Sequence, residues 1–111
     1  MAQGGTNFSG GQKQRLSIAR AVYKSAEIVI FDDSFSALDY KTDMLVRKAV
    51  REQLKDSTVI IVAQRIGTVM NADKIIVLDS GKIAGAGTHE SLLEAKGFYA
   101  DLYNSQFEKI A

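Results

Sequence analysis

Asn7-Phe8-Ser9-Gly10-Gly11-Gln12-Lys13-Gln14-Arg15, followed after a short interval by Ile28-Val29-Ile30-Phe31-Asp32-Asp33, is the stretch on which the reading of this chain turns. It joins a glycine-opened helix start to a β-branched apolar run that ends in adjacent carboxylates. A helix N-terminus presents unpaired N–H groups and the positive end of the helix dipole, so it can hold a phosphate. A carboxylate at the carboxyl end of a hydrophobic strand can hold the magnesium that accompanies a phosphate, directly or through water. Together the features imply nucleotide chemistry.

Outward from that stretch, residues 1–8 read as a polar loop, and a helix is predicted from about Gly10 to Lys24 with Leu16, Ala19, Val22 and Tyr23 on one stripe. Glu27 to Asp32 suits a strand buried on both faces. Asp39 can cap a helix in which Leu45, Ala49, Val50 and Leu54 recur at helical spacing. Thr58 to Ala63 and Lys74 to Leu78 are further strands, the latter turned by Ser80-Gly81 into Lys82-Ile83-Ala84 as a hairpin. Thr88 can cap a short helix through Ala95, Gly97 breaks it, and Phe98, Leu102, Tyr103, Phe107 and Ile110 form a last amphipathic helix. Strands alternating with helices indicate an α/β layered fold.

The chain has 111 residues, enough for one domain and few for two. Fourteen basic against thirteen acidic residues leave a formal charge of +1, which supplies no electrostatic argument for nucleic acid. The absence of cysteine excludes a disulfide framework and a thiol nucleophile. No apolar run approaches the roughly twenty residues that span a bilayer, and no secretory-type N-terminus is present.

Several motifs in register resemble the ATP-binding-cassette (ABC) family. Phe8 to Gln12 resembles its signature motif, with Phe8 in place of the usual Leu, and Ile28 to Asp32 resembles its Walker B strand. Ser36-Ala37-Leu38-Asp39 is similar to the D-loop, and Gly87-Thr88-His89-Glu90-Ser91-Leu92-Leu93 to the tail of exporter-type cassettes. The resemblance runs through essentially the whole chain. It implies a partial P-loop NTPase domain over residues 1–111, with a mostly parallel sheet, flanking helices and a C-terminal β-hairpin. Its parts would be a signature helix at 9–24, Walker B and D-loop at 27–39, an H-loop region at 58–65, and the hairpin and helices at 74–111.

The glycine loop G-x-x-x-x-G-K-[ST] that cradles a triphosphate does not occur in the chain. The expectation is therefore a C-terminal portion of a cassette that begins just before the signature, with the Walker A half missing. Loss of the central Walker A strand would leave open sheet edges, poor stability in isolation and aggregation through those edges, unless the chain collapses onto a three- or four-stranded sheet.

Candidate site residues carry both a plain and a functional reading. Ser9-Gly10-Gly11-Gln12 fits the capping box S-x-x-Q, but two residues without Cβ also let a ligand approach the backbone closely. The resemblance implies that Ser9, Gly10, Gly11 and Gln12 face the γ-phosphate of ATP held by an opposite subunit. Asp32-Asp33 could be a polar strand end leading into a turn; the resemblance assigns Asp32 to magnesium, and Asp33 to the general-base position that is usually Glu. The shorter side chain withdraws the carboxylate by roughly 1.5 Å, and a 1 Å misplacement can cost about a hundredfold in rate. Gln64 stands at the H-loop position, where the family carries a His; an amide can donate a hydrogen bond but cannot become a cation. Ser36, Ala37, Leu38 and Asp39, as a D-loop, would face the partner's nucleotide, or else serve only as turn and cap. His89 is the only histidine and reads as a surface or capping residue. The aromatics Phe98, Tyr99, Tyr103 and Phe107 read as core packing, or as a partner-helix interface.

Altered chemical positions in matching surroundings resemble the degenerate half of a heterodimeric ABC exporter of multidrug or lipid type. The resemblance then implies ATP and Mg²⁺ as cofactors of the full-length protein, a second ABC subunit and transmembrane domains as partners, and a place at the cytoplasmic face of a membrane. Alone, the chain would be soluble and inactive as an ATPase. Other classes are a chromosome-organising or translation-linked cassette protein, a docking module, or a nonfunctional truncated product. The transported substrate is not written in these residues.

Overall fold

The structure is a computed structural model that describes residues 10–24 and 26–108. The opening segment that includes Phe8 and Ser9, and the last residues with Ile110, lie outside those described. Two compact units are formed, one up to Gln64 and one from Arg65 onward.

The first unit contains helix α1 (Gly10–Lys24), strand β1 (Ile28–Asp32), helix α2 (Tyr40–Gln53) and strand β2 (Thr58–Val62). β1 and β2 pair in parallel, from Ile28 opposite Thr58 to Asp32 opposite Val62, with α2 as the crossover that parallel strands require. Ser57 Oγ donates to the Ala26 carbonyl at 2.7 Å and holds the two strand starts together. The core is Ile18 of α1, Val29 and Phe31 of β1, Phe35, Leu38, Val50 and Leu54, with Val59 and Ile61 of β2 packed against it. Phe31 and Phe35 meet edge to face with ring centroids 5.5 Å apart, an arrangement that suits their quadrupoles.

β1 is covered on one face only among the described residues, which corrects the expectation of burial on both. Val29 and Phe31 are buried, whereas Ile28 and Ile30 are 61% and 62% exposed. Strand side chains alternate, and both α1 and α2 pack on the Val29–Phe31 face. An unbroken apolar run does not say which of its faces a helix will cover.

Helix faces are corrected in the same way. Ile18 is the buried residue of α1, while Leu16 and Tyr23 are exposed. In α2 the buried positions are Asp43 and Val50, and Leu45 is exposed. Each helical residue advances about 100°, so a face misread by one or two positions brings different side chains inward. The carboxylate of Asp43, 1% exposed, is matched by Arg47 one turn later. A charge so buried is tolerated because it is paired.

The second unit contains α3 (Ile66–Val69), the antiparallel hairpin β3 (Ile75–Asp79) and β4 (Lys82–Gly87), α4 (His89–Glu94) and α5 (Phe98–Glu108). Ser80 and Gly81 form the turn at φ of 51° and 77°, the positive-φ pair that matches strand twist in a two-residue hairpin. The described strands thus form two separate two-stranded sheets, one parallel and one antiparallel, rather than one sheet of three or four strands.

Thr88 caps α4 as expected: its hydroxyl accepts from Ser91 N–H at 3.2 Å, and Ser91 Oγ accepts from Thr88 N–H at 2.9 Å. The helix ends at Glu94, one residue before the expected Ala95, and Lys96 takes the left-handed conformation that turns the chain away, at φ 53°. The short α3 was not anticipated; its first N–H donates to Gln106 Oε1 of α5 at 2.8 Å, a partner forty positions away. Tyr99, Tyr103 and Phe107 pack with Ile66, Ile75, Val77 and Leu92 as core, while Phe98 is exposed.

Candidate functional site

The carboxyl ends of the two parallel strands bring the strand-end residues to one edge. Asp32 is exposed and pairs in register with Val62. Asp33 N–H donates to the Val62 carbonyl at 2.8 Å, so Asp33 continues the ladder by one bond before the chain turns. Gln64 follows Val62 by two positions and is also exposed. Asp33 adopts φ 54°, a left-handed conformation that Asp and Asn tolerate better than other side chains.

From Asp33 the chain runs through a tight loop whose apolar members hold it down. Phe35 and Leu38 are buried in the core, and Leu38 N–H donates to the Phe35 carbonyl at 3.1 Å. Ser36, Ala37 and Asp39 are left at the surface. Asp39 Oδ1 accepts from Thr42 N–H at 2.7 Å and caps α2. That backbone hydrogen bond, with help from the Thr42 side chain and from Lys41 and Arg15, holds the Asp39 carboxyl below its usual value.

The start of α1 lies directly against this loop. A Cβ on Gly10 would stand 3.5 Å from Ala37 Cβ, and one on Gly11 would stand 3.2 Å from the Ala37 carbonyl oxygen. The second approach is tighter than ordinary van der Waals contact, which gives Gly11 a packing reason to lack a side chain. Gln12 follows on the exposed surface of the first turn. Ser9, the hydroxyl of the same motif, lies outside the described residues.

Gln14 is the residue that sequence reasoning missed. Its Oε1 accepts from Ala37 N–H at 2.7 Å, and its Nε2 donates to the Asp33 carbonyl at 3.1 Å and to Ser36 Oγ at 3.0 Å. The available signal was position: Gln14 follows Gly11 by three residues and precedes Ile18 by four, which places it on the inward face of α1. His89, by contrast, takes a packing role, with Nδ1 2.6 Å from the Tyr99 hydroxyl and its ring edge-on to Tyr99 and Tyr103.

The family profile described as ABC transporter matches residues 1–36. An uncharacterized ABC transporter ATP-binding protein of Mycobacterium tuberculosis is 54% identical over 106 residues, or 96% of this chain and 18% of that protein. The chain belongs to the ABC transporter family. An ATP-dependent lipid A-core flippase of Saccharophagus degradans is 47% identical over 93% of this chain and 18% of its own length. Among solved structures, a bacterial Atm1-family ABC exporter with ATP bound matches 92% of this chain and 18% of its own chain, at 39% identity and a TM-score of 0.87. The chain thus spans 18% of the length of these ABC proteins and corresponds to part of an exporter-type nucleotide-binding domain.

Proposed function

We propose that this chain supplies two different half-sites for ATP in a dimer of ABC nucleotide-binding domains that drives an exporter. The observation that carries the reading is the contact between the glycine-opened start of α1 and the loop that leaves Asp32-Asp33, because it unites both candidate half-sites on one small scaffold. The identity to exporter-type ABC proteins, one of them described with ATP bound, supports nucleotide as the ligand.

On this reading Ser9, Gly10, Gly11 and Gln12 bind the terminal phosphate of a nucleotide held by a second ABC subunit, using N–H groups and a hydroxyl at a helix start. Asp32 would hold Mg²⁺, which supplies charge neutralisation at the phosphates when bound. The donor set fits. Asp32 offers an exposed, hard oxygen, and the described residues contain no group of three or more His, Cys, Asp and Glu that would make a closed cage. Magnesium commonly keeps waters and phosphate oxygens and takes only one or two carboxylates from the protein.

Asp33 and Gln64 would orient water poorly. The Asp33 carboxylate is short by one methylene on a backbone that the Val62 hydrogen bond pins in place, and Gln64 cannot exchange a proton with a reacting group. The chain would therefore complete its partner's hydrolytic site through the signature while weakening the site to which it gives Asp33. That asymmetry calls for a heterodimer, with transmembrane domains elsewhere in the assembly; no described helix is long and apolar enough to cross a membrane. In the assembled transporter, Ser9→Ala is expected to reduce ATPase rate more than Asp33→Asn. Equal losses from the two substitutions would refute this division of labour.

A further inference from the structure

We propose that Gln14 is a positioning residue that locks the start of α1 to the 33–39 loop, so that the signature amides and the strand-end carboxylates move as one body. The proposal rests on the nucleotide-site reading above.

The Gln14 amide is used on both sides. Oε1 faces the Ala37 N–H, a donor, and Nε2 faces the Asp33 carbonyl, an acceptor, with Ser36 Oγ completing its set. The opposite orientation would set donor against donor and acceptor against acceptor, so a single arrangement satisfies all the groups. Ser36 Oγ also donates to the Asp33 carbonyl at 3.3 Å, which ties the two ends of the turn to the same amide.

Both segments joined by Gln14 are anchored in the same core. The loop is fixed by Phe35 and Leu38 in the core and by Asp33 N–H on β2. Helix α1 is fixed by Ile18, one turn after Gln14. Between the anchors, Gly10 and Gly11 lie against Ala37 with no side chain to act as a spacer. A displacement of Ala37 is therefore passed to α1 through a side-chain amide as well as through backbone contact. In an ABC dimer the signature addresses one nucleotide and Asp32-Asp33 the other, so this link would join the two sites within one subunit.

The test uses the transporter complex that carries this chain. Gln14→Leu removes the acceptor and both donors at similar size, and Gln14→Glu keeps the acceptor for Ala37 N–H while losing the amide donors. The leucine variant is expected to lower kcat for ATP about tenfold, the effect of roughly one net hydrogen bond, with KM within about twofold. The glutamate variant should fall between it and the unmodified complex, and Ser36→Ala should reduce the cost of Gln14→Leu. An unchanged kcat in both variants, or a rise in KM that accounts for the whole loss, overturns the proposal.

Amide exchange in the same complex separates local release from unfolding. Gln14→Leu should speed exchange at Ala37 and leave Thr42, held by Asp39, unchanged; equal acceleration at both overturns the proposal. The unmodified complex tests the reading beneath it. Absence of ATP turnover there refutes the nucleotide-site reading and the proposal together, whereas turnover there with indistinguishable Gln14 variants overturns the proposal alone.

Discussion

Gly87→Ala is expected to destabilise the second unit through a collision that a second substitution relieves. Gly87 sits at φ 154°, a conformation that L side chains rarely adopt, and a Cβ built there would collide with Ser91 Oγ. That hydroxyl is committed: it accepts from Thr88 N–H at 2.9 Å and donates to the Thr88 carbonyl at 3.1 Å. Alanine at this position therefore costs backbone strain of roughly 1–3 kcal/mol and, by displacing Ser91, about 1 kcal/mol of helix cap. The sum is roughly 2–4 kcal/mol. With Ser91→Ala in place, the nearest remaining atoms are Ser91 Cβ at 3.7 Å and Leu92 Cγ at 3.9 Å, ordinary contacts. The cap is then already gone, so the double variant should be about as stable as Gly87→Ala alone, a coupling of about 1 kcal/mol. Urea titration followed by nuclear magnetic resonance signals of residues 89–108 reads the second unit locally. Strict additivity of the two substitutions, or a Gly87→Ala variant as stable as the parent, would refute the reasoning.

Two further outcomes follow from the first unit. Asp39 is held below the ordinary carboxylate value chiefly by the Thr42 backbone hydrogen bond, so its support of α2 is fully present above that ordinary value and is lost as pH falls through the lower folded one. Amide exchange at Thr42 should accelerate over that acid range, and Asp39→Asn, which keeps the capping oxygen, should abolish the dependence. On β1, Phe31→Ala should cost about 3–5 kcal/mol of stability, whereas Ile30→Thr should stay within about 0.5 kcal/mol. Comparable losses in denaturant titrations would contradict single-sided burial of this strand.

Glycine and polar punctuation carried most of the local structure. Asp39 and Thr88 cap the helices at which their sequence positions placed them, and Ser80-Gly81 turns the hairpin, because these effects act within a few residues. Membership of the ABC family was likewise legible, since the motifs that carry it are short runs in fixed order. Local chemistry left other matters open. Leu45 and Ile30 look as apolar as Val50 and Val29, yet they are exposed, because their burial depends on which element packs opposite. Lys96 rather than Gly97 takes the left-handed turn, and α3 borrows its first hydrogen bond from Gln106.

The candidate site divides along the same line. The residue types at Gly10-Gly11, Asp32-Asp33 and Gln64 follow from sequence alone, because strand ends and helix starts are encoded by their immediate neighbours. The position of Gln14 on α1 hints at an inward side chain, but its partners became visible only through the fold, since Asp33, Ser36 and Ala37 lie about twenty residues away along the chain. Sequence determined which groups could meet a phosphate or a metal; tertiary structure decided which backbone carbonyl and amide a single side chain would join, because long-range hydrogen bonds are chosen by packing and leave no period in the sequence.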